Sequence, residues 1–126
     1  MVREITGGEG VAVSYDSIGK ETFKASLNSL RPFGVLVTYG NATGPVEPFS
    51  PAILAQKGSL YVTRPTLATH TATRELLEEG ANRLFEIVKD NVVKISVNQK
   101  YDLSNAATAH RELEARKTTG SSILIP

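Results

Sequence analysis

The sequence predicts an α/β fold, in which a parallel sheet with flanking helices is followed by a C-terminal β/α/β extension. Three apolar runs rich in β-branched residues supply the strands of the sheet, and each run ends in a polar or glycine-containing cluster. The runs and their ends are residues 11–15 with 16–19, 35–39 with 40–42, and 60–63 with 63–65. Because ligands bind outside the carboxyl ends of parallel strands, these clusters predict one wall of a nucleotide-binding crevice.

A glycine cluster at residues 7–10 precedes the first strand. We interpret it as the turn that ends a short helix at residues 2–6. It is not a phosphate-binding loop, because the dinucleotide fingerprint requires its glycines between a strand and the helix that follows.

Helical patterns connect the three strands. After the first strand, Phe23, Leu27 and Leu30 recur on one helical face, and Pro32 with Gly34 ends that helix. Before the third strand, capping signals predict a short helix of about one and a half turns. Ser50 would be its N-cap and Pro51 its first residue. Lys57 would lie in its last turn, and Gly58 would follow its end.

The second half begins with a long helix, which either Thr71 or Thr73 caps. Its apolar stripe consists of Leu77, Ala81, Leu84, Phe85 and Val88. A strand at 92–97 and a helix over 104–117 follow, and Gly120 ends that helix. We expect Ala106, Ala109 and Leu113 to lie on the face of this helix that packs against the protein. The last strand covers 122–125, and we expect it to pair with the strand at 92–97.

Composition excludes several classes of protein. The chain of 126 residues suits one domain, and its 14 basic and 13 acidic side chains are interspersed, so we expect no nucleic-acid partner. It contains neither a membrane span nor an N-terminal signal stretch, so we expect a cytoplasmic protein with no membrane contact. Cysteine is absent and the two histidines, His70 and His110, are far apart, so we predict no metal site.

Four segments, 15–19, 39–45, 56–65 and 113–122, closely resemble the NADPH:quinone oxidoreductases, which are zinc-free members of the medium-chain dehydrogenase/reductase superfamily. The resemblance is to the C-terminal part of such an enzyme. It implies a partial Rossmann-like parallel sheet. Residues 1–90 would be the C-terminal half of a Rossmann nucleotide-binding domain, and residues 91–126 an extension that completes the catalytic domain. The family's glycine-rich pyrophosphate turn precedes the matching part.

The resemblance implies NADPH as the cofactor and a quinone or an activated enone as the acceptor of its hydride. No residue would act as a covalent catalyst, since the protein mainly positions the reactants. The residues that would border the cofactor are Ser17, Ile18, Tyr39, Gly40, Asn41, Ala42, Pro65, Thr66, Leu67 and Arg116. Gly40 would permit a close backbone approach, and the Asn41 amide suits a ribose or a carboxamide.

Structural interpretations compete with these roles. Gly40-Asn41 also fits an ordinary turn, and Asp16-Ser17 fits a helix N-cap, which is compatible with cofactor proximity. Arg116 suits the last turn of a helix, where cations are favoured by the helix dipole. We interpret Arg64 as a solvated side chain, and His70 and His110 as surface or hydrogen-bonded histidines rather than catalytic ones, since neither has a nucleophile or carboxylate partner nearby in the sequence.

The strand at 59–63 would lie at the edge of the sheet, where unpaired backbone groups seek a partner. In the family this strand pairs with its two-fold mate, so we expect a homodimer through it. The rival function is a non-catalytic dimerising module that binds no dinucleotide tightly. A third possibility is a subunit that another chain completes.

Overall fold

A three-stranded parallel sheet occupies the first half of the chain. The structure, a computed structural model, describes all 126 residues. Strands β1 (Val11–Asp16), β2 (Leu30–Thr38) and β3 (Tyr61–Thr63) lie in the order β1-β2-β3, which leaves β3 at an edge. Both pairings are parallel. The predicted α/β class is therefore confirmed.

Four helices belong to this half: α1 (Val2–Ile5), α2 (Phe23–Ser29), α3 (Ala52–Gln56) and α4 (Leu67–His70). Helix α3 begins one residue later than predicted, and the Ser50 hydroxyl accepts a hydrogen bond from the Ala52 N–H at 3.3 Å. Helix α4 has no counterpart in the prediction, because four residues are too few to show a helical period. The Thr66 hydroxyl caps it by accepting from the Thr69 N–H at 3.4 Å.

The core of this half packs α2 against the sheet. Leu27, Leu30 and Leu36 are fully buried, and Phe23 and Leu60 complete the cluster. Burying one such side chain contributes about 1.5–3 kcal/mol to the free energy of folding. These contacts therefore fix the positions of the strands whose carboxyl ends form the candidate site.

The predicted end of α2 is wrong. The helix ends at Ser29, and Pro32 lies within β2 instead of ending the helix. Val11 of β1 pairs with Leu30 of β2, and the next pair is Val13 with Val35. Strand β2 therefore has extra residues between these two pairs, which form a bulge that includes Pro32. Proline has no N–H to donate to a ladder, and a bulge is where a strand tolerates it.

Residues 73–126 form a second compact unit, while residues 1–72 form the first. Helix α5 (Arg74–Lys89) begins at Thr73, whose hydroxyl accepts from the Leu76 N–H at 3.3 Å, as one of the two predicted caps requires. Its predicted apolar stripe is largely exposed in this structure, with Phe85 at 66%. The functional boundary predicted at residue 90 stays a prediction.

A βαβ unit closes the chain. Strand β4 (Val97–Asp102) pairs in parallel with β5 (Ser121–Ile125), and helix α6 (Ala106–Glu114) crosses between them after a 3₁₀ turn at Leu103–Asn105. The last strand thus pairs within this unit as expected, but its partner is 97–102 and not the predicted strand at 92–97. The Tyr101 hydroxyl donates a hydrogen bond to the Glu112 carboxylate, which ties β4 to α6 and raises the pKa of Tyr101.

Two boundaries in this unit differ from the prediction. The strand predicted at 92–97 begins only at Val97, because α5 ends in a reversal in which the Val92 N–H donates to the Ile87 carbonyl at 3.0 Å. Asn91 adopts a φ of 58° there, a left-handed conformation that helix ends favour.

Helix α6 ends at Glu114 rather than near residue 117, and Gly120 does not end it. Arg116 adopts a φ of 56°, and the Lys117 N–H donates to the Glu112 carbonyl at 3.0 Å, which is the Schellman arrangement. A Cβ on Gly120 would stand 2.5 Å from the Ser96 carbonyl, so this glycine serves the approach of β5 to β4. Across the whole chain, no helix combines the length and apolarity that crossing a bilayer requires.

Candidate functional site

The carboxyl ends of β1 and β2 are joined by backbone hydrogen bonds. The Tyr39 N–H donates to the Asp16 carbonyl at 2.9 Å, and the Thr43 N–H donates to the Ile18 carbonyl at 2.9 Å. The Ala42 N–H adds a longer bond, of 3.4 Å, to the Ser17 carbonyl. The segments predicted from the ends of these two strands therefore lie side by side.

Asp16 fixes the turn that follows β1. Its carboxylate is 4% exposed and accepts hydrogen bonds of 2.8 to 3.0 Å from the backbone of Ile18 and Gly19 and from the hydroxyls of Thr22 and Ser26. Burial raises the pKa of Asp16, but the hydrogen bonds from Gly19, Ser26, Thr22 and Ile18 outweigh it and hold that pKa below 3.8.

Asp16 and Ser17 are not the N-cap of α2, since Thr22 precedes that helix. The Asp16 carboxylate instead reaches the helix through the side chains of Thr22 and Ser26. Ser17 and Ile18 are consequently presented at the strand end by a turn with several fixed points.

Gly40 occupies a position where no side chain fits. A Cβ built on it would collide with the backbone carbonyl of Ser17. On the other side, the Gly40 carbonyl accepts a hydrogen bond from Arg64 Nη1 at 3.2 Å. The glycine therefore lies closely packed between the ends of β1 and β3, while the adjacent Asn41 is exposed. This close approach to Ser17 requires glycine, and the predicted approach of Gly40 to a cofactor stays a prediction.

A pocket of about 440 Å³ opens beside the ends of β2 and β3. Its lining residues are Tyr39, Arg64, Pro65, Thr66, Leu67 and His70. Four of these residues were predicted to border a cofactor, and no acidic side chain is among the six. Aromatic, hydroxyl and guanidinium groups of this kind suit recognition of a planar or polar ligand.

Sequence reasoning assigned solvent exposure to Arg64 and His70, and both are exposed, yet both line this pocket. The place of Arg64 immediately after β3 was a usable signal, because it matches the place of Tyr39 and Gly40 after β2. His70 is the last residue of α4, a helix that was not predicted, so no feature of the sequence indicated that His70 would line this pocket.

Arg116 is the one predicted site residue in the second unit. It follows α6 in a left-handed conformation, with its N–H donating to the Leu113 carbonyl at 3.0 Å. The described residues contain no group of three or more His, Cys, Asp or Glu side chains that could hold a metal ion.

Comparison with known proteins identifies the family of the chain and several relatives. A family model described as zinc-binding dehydrogenase matches residues 1–124. The chain is 52% identical to the quinone oxidoreductase of Salmonella typhimurium and 49% identical to that of Pseudomonas aeruginosa, and both alignments cover 99% of this chain. A 2-haloacrylate reductase from a Burkholderia species is 45% identical over 100% of this chain.

Solved structures agree with these relatives. The Escherichia coli quinone oxidoreductase complexed with NADPH superposes with a TM-score of 0.85 at 49% identity, over 99% of this chain and 39% of that one. A mycobacterial protein complexed with NADPH gives a TM-score of 0.87 at 46% identity, with the same coverage. The chain spans about two fifths of the length of the relatives it matches, 39% in the Salmonella protein, and it corresponds to their C-terminal portion.

Proposed function

Because the chain belongs to the zinc-binding dehydrogenase family, we propose that it is the NADPH-binding C-terminal part of a quinone oxidoreductase. The observation that carries the proposal is the single edge at which the ends of β1, β2 and β3 meet, with Gly40 packed too closely for any side chain. The contact with Ser17 holds the Gly40 backbone at this edge, where ligands of parallel sheets bind. The similarity to two structures solved with NADPH supports the same cofactor.

Each strand end has a proposed part in holding NADPH. Ser17 and Ile18 border the nicotinamide side, and residues 39–42 line the cofactor at the next strand end. Residues 65–67 lie beside the nicotinamide, and Arg116 of the second unit contacts the cofactor. The pocket beside Tyr39 and the fixed turn after β1 support the first three assignments.

The proposed reaction is transfer of a hydride to a quinone or an activated enone, and bound NADPH supplies that hydride. This chain's own residues bind and orient the cofactor, and none forms a covalent intermediate. The chain offers no cysteine and no cluster of other metal ligands, so we propose that this part of the enzyme binds no zinc. Residues 1–90 and 91–126 are the proposed nucleotide-binding half and catalytic-domain extension.

The proposed assembly is a cytoplasmic homodimer that pairs through strand 59–63. Two observations support it: β3 lies at the edge of the sheet, and Tyr61 on it is 60% exposed. The rival proposal, a non-catalytic dimerising module, shares this interface but lacks tight dinucleotide binding. The two proposals therefore differ in cofactor affinity and agree in oligomeric state.

Titration calorimetry of NADPH into the 126-residue chain tests the function. We expect micromolar binding that weakens about tenfold in Asn41→Ala, which removes one hydrogen-bonding amide at the site. Asn82→Ala is the matched control, since Asn82 lies exposed on α5 and makes no side-chain hydrogen bond. Binding that is absent at millimolar NADPH would instead favour the dimerising module.

A further inference from the structure

We propose that Arg64 is a positioning residue of the candidate site, whose guanidinium holds the Gly40 carbonyl and thereby fixes the turn at residues 39–42. This proposal rests on the proposed function only in the test that measures NADPH affinity. The hydrogen bond itself is a property of the folded chain and has a readout of its own.

The geometry of Arg64 suits this role. Nη1 lies 3.2 Å from the Gly40 carbonyl oxygen and 3.5 Å from the Thr38 hydroxyl, so one nitrogen faces two groups at the end of β2. Thr38 is 7% exposed, so its hydroxyl has little access to water. Arg64 also precedes Pro65, and a residue before proline is restricted to extended backbone conformations. That restriction limits the directions in which the side chain can leave β3.

The Gly40 peptide is held from two sides. On the β1 side, the Ser17 backbone lies so close to Gly40 that a Cβ on Gly40 would have no room. The Ala42 N–H also donates a hydrogen bond to the Ser17 carbonyl at 3.4 Å. On the β3 side, the pairing of β2 with β3 ends at Val37 and Thr63. Arg64 therefore provides the hydrogen bond that connects β3 to Gly40. Without Arg64, the exposed turn would keep only its contacts with β1.

A direct ligand contact is the competing role for Arg64. Its side chain lines the 440 Å³ pocket and belongs to none of the three salt bridges in the chain, so its charge has no carboxylate partner. The two roles make different predictions. A positioning residue acts through the turn that carries Asn41, so its loss overlaps with the loss of Asn41. A direct contact contributes independently of Asn41.

The first test is the amide resonance of Asn41 in NMR spectra of the ligand-free chain. The Gly40 carbonyl and the Asn41 N–H share one peptide group, so loss of the Arg64 hydrogen bond shifts that resonance. We expect a shift in Arg64→Gln, a smaller one in Arg64→Lys, and none in Arg83→Gln, an exposed control on α5. An Asn41 amide that is the same in Arg64→Gln and in the control overturns the proposal.

The second test is a double-mutant cycle on NADPH affinity. We expect Arg64→Gln to weaken binding about tenfold, Arg64→Lys to restore part of it, and the double variant with Asn41→Ala to be little weaker than either single variant. Losses that multiply would assign Arg64 to direct contact and overturn the positioning role. A wild-type chain that binds no NADPH would refute the proposed function alone, because the Asn41 resonance still decides whether Arg64 fixes the turn.

Discussion

Replacing Asp16 with alanine is expected to lower the free energy of unfolding of the first unit by about 3 kcal/mol. The substitution removes the acceptor for two backbone N–H groups and two hydroxyls that surround a carboxylate only 4% exposed. The turn that presents Ser17 and Ile18 would lose its anchor, although no core side chain changes.

The magnitude follows from which donors water can reach. Only the bond from the Gly19 N–H is fully buried, and leaving such a donor unpaired costs about 1–3 kcal/mol. The bonds from Ile18, Thr22 and Ser26 are partly buried, so water replaces them at a cost of about 0.5–1 kcal/mol each. Relief of the desolvation of Asp16 offsets part of the sum. Asp16→Asn keeps one acceptor oxygen and should lose only about half as much.

Thermal and denaturant unfolding followed by circular dichroism measure this effect. For a unit of 72 residues, 3 kcal/mol corresponds to a fall in Tm of about 20 °C. The pKa of Asp16 is lowered in the folded state, so its stabilisation is present above the unfolded-state value, about 3.9, and is lost as pH falls through the folded value. The stability difference between wild type and Asp16→Asn should therefore be constant near neutral pH and shrink below about pH 4.

Asp102→Asn is the matched control, because Asp102 is exposed and its side chain accepts no hydrogen bond. A loss in Asp16→Ala no greater than that in this control would refute the reasoning. So would an Asp16→Asn variant whose stability falls with acid pH as steeply as that of the wild type.

Three further predictions concern the other strand ends and the second unit. Gly40→Ala should weaken NADPH binding at least tenfold and destabilise the chain by about 1–3 kcal/mol, because its Cβ meets the Ser17 backbone. Gly80→Ala, with nothing within 4 Å of its Cβ, should instead gain about 0.5–1 kcal/mol in α5. Sedimentation at micromolar concentration should find a dimer that Tyr61→Lys dissociates, and a monomeric wild type would contradict the edge-strand interface. Arg116→Gly should leave α6 equally or more stable, since φ is 56° there, while NADPH binding weakens; Asn91→Gly is the control with the same backbone conformation and unchanged binding.

Local chemistry explains what the sequence predicted well. The cap at Thr73 and the turn at Gly58 each depend on a few adjacent residues, and both are where the pattern placed them. The strands of the first sheet could also be predicted, because continuous apolar runs are typical of parallel strands, although β2 alone buries apolar side chains along its length. Parallel order then put the ends of β1, β2 and β3 at one edge.

The errors arise where distant contacts decide the structure. Residues 92–97 are more apolar than 97–102, yet the second segment is the strand, because β5 pairs with it and the end of α5 turns the preceding residues away. Strand propensity is weak beside such pairing. Pro32 misled for the same reason: a proline predicts the end of a helix locally, whereas here it lies in a bulge that only the register with β1 defines.

The three strand ends are restrained by different chemistry, and this determines how the site responds to acid. The β1 end depends on the Asp16 carboxylate, which protonates at low pH, whereas Arg64 at the β3 end donates to a backbone carbonyl, which acid does not protonate. Gly40 lies between them and depends on Ser17 for its packing. Acid therefore weakens the anchor of the Ser17 turn, against which Gly40 packs, while the bond from Arg64 to the Gly40 carbonyl is kept. The order of the turn at 39–42 should therefore depend on Arg64 more strongly at low pH than at neutral pH.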